Sequence, residues 1–301
     1  MRARRTAIAL ALVASATVPG AAHAAPTLKP IAAATNVIGD GAHRVAYQPD
    51  AGSVVVLDER TGRRSRLPTP AGCTLGGFGA GNVLWSCPSN MGVDLRGVVT
   101  SLTTGLSHDL PPQPPWAGNG SEAQAFVAIG SRWAQVYGAG YRSYKDAWVD
   151  VRTGAQAPAH RRTRREVADL NTAALWRPLC RPLTVPSFDA DTLGLIPSPM
   201  AYRPPYAAAV ETTVHSVDRL LLWHCGRVRG RVIAHCRGAL SCTTPLLTDR
   251  AVAWLQLGLH VRLLRSGRTL VWPGVYHYAP FALTREHVWL VRDRRLLAAR
   301  L

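Results

Sequence analysis

Leu75-Gly-Gly-Phe-Gly-Ala-Gly-Asn-Val-Leu-Trp85 is an apolar stretch, a glycine turn and a second apolar run that ends on an aromatic ring. The same design stands at residues 36–47, 126–137, 208–223, 245–254 and 281–289, each second run carrying a Trp or Tyr. Recurrence every few tens of residues points to one small unit built repeatedly. A further apolar strand follows four of the copies and runs into a Thr-Gly or Ser-Gly step. These strands are 53–62, 97–105, 147–154 and 260–267. Glycine there supplies the positive φ of a tight hairpin. Gly62 to Gly105 spans 43 residues and Gly105 to Gly154 spans 49.

One unit is therefore strand A, turn, strand B, turn, strand C, Thr-Gly turn, strand D. Helical periodicity is confined to the first residues, and 26 Gly and 22 Pro punctuate the rest. A repeated four-stranded meander of this length resembles the blade of a β-propeller, and the irregular blades of exported bacterial propellers in particular. Trp-Asp dipeptides of the WD40 type are absent. The resemblance implies an all-β fold, a single six-bladed propeller over residues 25–301, with five to seven blades as the range. It carries no catalytic motif of its own. The last copy stops after a third strand, 295–301, so residues 27–32 are expected to supply the fourth and close the ring, leaving no open edge. The Pro/Arg-rich stretch at about 155–205 breaks the rhythm. It is expected to be an elongated C–D connection with an extension over one face, with a degenerate seventh blade as the alternative.

Residues 1–24 have the anatomy of an export signal. Arg2, Arg4 and Arg5 precede the apolar stretch 7–18, and Ala22-His-Ala24 is a small-residue cleavage site. A mainly apolar stretch of twelve residues falls short of the ~20 that span a bilayer, and no later stretch is long enough and free of charge, so no transmembrane segment is expected. The formal net charge of +17 becomes +14 without those three arginines. Arginine supplies nearly all of it, scattered along a chain rich in Ala, Gly and Pro, which is the mark of GC-rich codon usage. Specific nucleic-acid binding is therefore not expected; after export, a positive field would attract anionic envelope polymers instead.

Six cysteines, an even number in an exported chain, favour disulfides. Cys73 opens the first strand of its copy and Cys87 ends the second, which pairs them. By analogy Cys180 pairs with Cys225, at the end of Leu222-Trp-His-Cys225, leaving Cys236 for Cys242. The competing reading takes His224, Cys225, His235, Cys236 and Cys242 as zinc ligands, although their spacing matches no familiar zinc module.

Sharp catalytic motifs are missing: no Gly-x-Ser-x-Gly, no His-Glu-x-x-His and no phosphate loop. No cofactor or metal is expected. His43, His215 and His287 each fall in or near an A–B turn. The propeller resemblance would bring them together at the channel mouth, where such lyases and hydrolases keep their acid–base groups. No acidic orienter or nucleophile recurs beside them in the sequence. Trp116, Tyr141 and Tyr144, on loops, are the candidate binding residues, since exposed aromatic rings suit sugar or protein contacts. The expected role is a monomeric, non-enzymatic binding or scaffolding protein outside the cytoplasm, contacting protein or envelope polysaccharide. A propeller hydrolase or lyase is the alternative, and a metal-binding module a third.

Overall fold

The computed structural model describes residues 23–87, 95–113, 123–129, 133–139, 144–153, 155–157, 201–203, 205–211, 217–224, 230–237, 242–243 and 245–301. Every regular element among them is a strand. Two short strands come first, β1 (His23–Ala24) and β2 (Lys29–Ala33), and both join sheets formed far along the chain. Sheet 1 comprises β3 (Asn36–Gly39), β4 (Arg44–Asp50), β5 (Ser53–Asp58) and β6 (Arg64–Pro68). Sheet 2 comprises β7 (Thr74–Gly79), β8 (Asn82–Cys87), β9 (Leu95–Ser101) and β10 (Ser107–Gln113). Sheet 3 comprises β11 (Ala123–Ile129), β12 (Trp133–Ala139), β13 (Tyr144–Asp150) and β14 (Gln156–Ala157). Sheet 4 comprises β15 (Ala201–Arg203), β16 (Tyr206–Glu211), β17 (Val217–His224) and β18 (Arg231–Arg237). Sheet 5 comprises β19 (Leu246–Leu247), β20 (Ala251–Leu255), β21 (Gly258–Leu263) and β22 (Thr269–Pro273), with β1 parallel to β22 as a fifth strand. Sheet 6 comprises β23 (Phe281–Leu283), β24 (His287–Arg292) and β25 (Arg295–Arg300).

Apart from β1 and β2, the strands of each sheet form an antiparallel meander whose order follows the chain. The first strands of successive sheets lie side by side: β3 against β7, β7 against β11, β15 against β19, β19 against β23, and β23 against β3. The core is divided in the same way. Ala46, Val54 and Val56 of sheet 1 pack on Leu75, Trp85 and Val98 of sheet 2. Leu84 and Val99 of sheet 2 pack on Ile129 and Val149 of sheet 3. Further clusters join sheets 4 and 5, sheets 5 and 6, and sheets 6 and 1. Sheets that hide both faces against neighbours are the packing of a β-propeller. This explains why β20 is buried at all five positions and β24 at four of its six. Outer strands such as β6 alternate between exposed and half-buried instead.

The strand expected at 27–32 runs from Lys29 to Ala33. It pairs antiparallel with β25, Lys29 opposite Ala298 and Ala33 opposite Arg295, and so takes the fourth place in the last sheet. Pro30 has no N–H to give and sits where a strand needs none on its outer side, at a sheet edge.

Two details differ from expectation. The third hairpin of sheet 3 is short: Asp150 donates its amide to the Ala155 carbonyl at 3.0 Å, and Gln156 already pairs with Val149. The C–D turn of that sheet is therefore an ordinary tight one. In sheet 4, residues 208–223 form strands two and three, because β15 precedes them as the first strand.

Candidate functional site

Each meander places its first and third turns at one end of its sheet and its second turn at the other. At the first-turn end, one carboxylate bridges the first and last sheets. Glu59 follows β5 in the third turn of sheet 1, and its amide donates to the carbonyl of His43 in the first turn at 2.8 Å. Its side chain, only 3% exposed, points into sheet 6. There Oε1 accepts from Thr284 Oγ1 at 2.6 Å and from Trp289 Nε1 at 2.8 Å. His287 Nδ1 stands 3.4 Å from the same oxygen. Glu59 Oε2, His43 Nδ1 and His287 Nδ1 are buried with no hydrogen-bond partner among the described residues.

The first turns hand on from sheet to sheet at this end. Arg285 of sheet 6 pairs with Asp249 of sheet 5 at 2.7 Å, and its amide donates to Ala42 of sheet 1 at 2.7 Å. Within sheet 1, Asp40 Oδ1 accepts the amides of Ala42 and Arg44 and Oδ2 accepts Arg44 Nε, which holds the loop carrying His43. Thr284 does the same for His287, accepting its amide at 3.2 Å.

Of the three histidines expected to converge, His287 stands beside this buried carboxylate, and His43 meets Glu59 through its backbone carbonyl. His215 lies outside the described residues. The strands on either side of it, β16 and β17, end and begin at the opposite end of the molecule. There Val217 pairs with Arg237, and the carbonyl of His235 accepts from Gln256, in the second turn of sheet 5. Trp116 and Tyr141 lie outside the described residues, and Tyr144 is the first residue of β13. Disulfides Cys73–Cys87 and Cys236–Cys242 are both present, with Cα atoms 4.0 and 5.5 Å apart. The second of them withdraws two sulfurs from the zinc alternative. Cys180 and Cys225 lie outside the described residues. Among the described residues no cluster of three or more His, Cys, Asp and Glu is placed to hold a metal ion, and no helix is long and apolar enough to cross a membrane.

The second-turn end carries a different kind of surface. Leu257, Tyr276 and Tyr278 are 71%, 81% and 91% exposed. The tyrosines sit on the crossover from β22 to β23, beside an open cleft of about 260 Å³. Val275, Ala279 and Val291 give the cleft an apolar lining, and Arg292 and Asp293, 3.6 Å apart, stand at its edge. Sequence reasoning passed over this pair. The signal available to it was Tyr276-His-Tyr278 bracketed by Pro273 and Pro280.

No protein-family model matches the sequence, and no curated protein is similar to it in sequence. Solved structures with a similar fold are β-propellers. The β-propeller domain of the Trilobed protease from Pyrococcus furiosus is 11% identical, with a TM-score of 0.47, over 90% of this chain and 95% of that one. The Cps50 (Swd1) β-propeller domain of Myceliophteria thermophila is 10% identical, with a TM-score of 0.45, over 91% and 99%. BamB from Moraxella catarrhalis is 12% identical, with a TM-score of 0.39, over 87% and 82%. These likenesses concern the fold alone, and the chain's own sheet packing carries the propeller assignment.

Proposed function

We propose that the chain is an extracytoplasmic, non-enzymatic propeller that binds protein or envelope polysaccharide through its second-turn end. The observation that carries this reading is the pair of tyrosines, 81% and 91% exposed beside an open cleft. Large aromatic side chains left in water lose the burial worth about 1.5–3 kcal/mol apiece, so their concentration on one loop fits a contact surface. Location follows from the export signal at 1–24 and from the cysteine usage, two disulfides included. Cleavage after Ala24 would remove β1 and leave sheet 5 with four strands.

The test is co-sedimentation of the mature chain with a purified envelope fraction, wild type against the double variant Y276S/Y278S. Binding that falls by at least about tenfold in the variant supports the reading. Failure to bind, or binding indifferent to both tyrosines, contradicts it. N-terminal sequencing of secreted material should begin at Ala25; a chain retaining Met1 would overturn the export assignment.

The juxtaposition of His287 and Glu59 favours a second possibility, a hydrolase or lyase in which Glu59 orients His287 as general base. Two facts weigh against it. Glu59 Oε1 is already engaged by Trp289 and Thr284, and the hydroxyl beside the pair, Thr284 Oγ1, is fully buried and spent on Glu59 and the His287 backbone. Turnover of a polysaccharide that is abolished by His287→Gln in a folded protein would establish the enzyme instead.

A further inference from the structure

The crossover Trp272-Pro-Gly-Val-Tyr-His-Tyr-Ala-Pro280 is built to hold its rings in place. Gly274 adopts φ +70°, and the amide of Ala279 donates to the carbonyl of Tyr276 at 3.0 Å. Val275 is buried as an anchor, and the amide of Val291 donates to Pro280 at 2.8 Å, tying the loop's end to sheet 6. Between the tyrosines, the His277 ring stands edge-on to Tyr278 with centroids 5.1 Å apart. His277 Nδ1 is buried and has no partner among the described residues. A loop fixed in this way gives up little entropy when a ligand arrives.

We infer that this cleft binds one sugar ring of a polysaccharide strand, which narrows the reading above to a glycan and rests on it. A sugar ring has an apolar C–H face and a belt of hydroxyls. Tyrosine offers a flat apolar face with a polar tip for the first. Arg292 and Asp293 at the edge supply donors and acceptors for the second, and both are exposed. The cleft of about 260 Å³ is ring-sized; an α-helix, about 10–12 Å across with its side chains, is too thick to enter it. A stable protein contact would need about 800 Å² from each partner around an apolar centre. Here exposed Arg292 and Asp293 give the rings a charged border, and the exposed neighbours Pro273 and Gly274 are small, so no wide apolar field surrounds them.

The experiment has two arms on the intact mature chain. Titration calorimetry uses a soluble N-acetylglucosamine tetrasaccharide with wild type, Y276S, Y278S and D293N, each checked for folding by its melting curve. The second arm is sedimentation with protease-treated peptidoglycan sacculi and with intact envelope, before and after muramidase. Expected is saturable binding to tetrasaccharide and sacculi, weakened at least about tenfold by either tyrosine change and a few-fold by D293N, with binding lost after muramidase. Envelope binding that survives muramidase but not protease treatment overturns the sugar proposal in favour of a protein partner and leaves the binding reading standing. Sugar binding indifferent to both tyrosines overturns the site. No binding in either arm overturns the sugar proposal and the binding reading together.

Discussion

Glu59 occupies a position that other sheets fill with an apolar side chain. It is the second residue of the third turn, matched by Leu102, Val151 and Leu264. Glu59, Leu102 and Leu264 each donate an amide to the first turn of their own sheet, to His43, Gly81 and Arg250 respectively. Leu102 and Leu264 pack against the preceding sheet, and Val151 lies in the cluster between sheets 2 and 3. A carboxylate is tolerated in sheet 1 because sheet 6 presents Trp289 Nε1 and Thr284 Oγ1 to receive it. Glu59→Ala should therefore destabilise the fold by about 1–3 kcal/mol, since Trp289 loses its 2.8 Å acceptor in a buried seam and keeps only Thr284 Oγ1 at 3.4 Å. Glu59→Gln, which keeps an acceptor oxygen, should cost clearly less; equal losses in thermal melts would contradict the seam. In the sequence, Asp58-Glu-Arg-Thr-Gly62 looks like a solvated turn, which hid the buried carboxylate beside His287. Only superposing the turns reveals that the second residue faces a neighbour.

His260 makes a second residue-scale prediction. Burial pushes its pKa below the ordinary 6.5, outweighing the hydrogen bond with the Gln256 carbonyl at 2.8 Å, while its ring stacks on Trp254. The folded chain thus prefers the neutral ring, and the unfolded chain binds the proton more readily. His260 contributes stability in full above pH 6.5 and loses it as the pH falls through that value towards the lower folded one. The melting temperature should drop from pH 7 to about pH 5, and His260→Gln should flatten that slope. An unchanged slope would refute the assignment.

Among elements, the third turns repeat one piece of chemistry. Asp58, Ser101 and Asp150 each accept amides two and three residues on, and Thr61, Thr104, Thr153 and Ser266 each accept the amide two residues on. Gly62, Gly105 and Gly267 close them at φ +70°, +72° and +69°. Since a Cβ on Gly62 would meet nothing within 4 Å, Gly62→Ala isolates the backbone cost. It should lower stability by about 1–2 kcal/mol in urea unfolding; no change would mean the turn is not held left-handed. This chemistry is why the turns were legible. Sheet 4 was displaced by one strand for the opposite reason. Its first strand, Ala201–Arg203, is three residues long, sits against Pro204-Pro205 and follows the Pro/Arg-rich stretch, so neither periodicity nor a turn signal marks it. The hairpin 208–223 then reads as strands one and two.

Across the whole molecule, stacking of sheets was readable from the repeats because second strands such as Ala251–Leu255 are buried on both faces and so carry apolar runs. The proposed contact surface was less readable. Exposed aromatic rings were sought at Trp116, Tyr141 and Tyr144, whereas Tyr276 and Tyr278 sit in a crossover whose Trp272 and Val275 are buried, and composition does not tell an inward ring from an outward one. Pairing Lys29–Ala33 with Arg295–Arg300 makes the stability of the molecule depend on a short segment before the first complete sheet. A chain beginning at Ala34 should expose the edge of β25 and aggregate or melt at lower temperature than one beginning at Ala25; equal stability would speak against the shared sheet.

Hydrogen exchange read by mass spectrometry reports most directly on whether the N-terminal strand locks the last sheet to the first. Backbone amides within Lys29–Ala33 that face β25 should open only with the amides of His287–Arg292 and Arg295–Arg300, as one cooperative unit. Amides of that strand exchanging at free-chain rates while the rest of sheet 6 stays protected would show the molecule holding together without it.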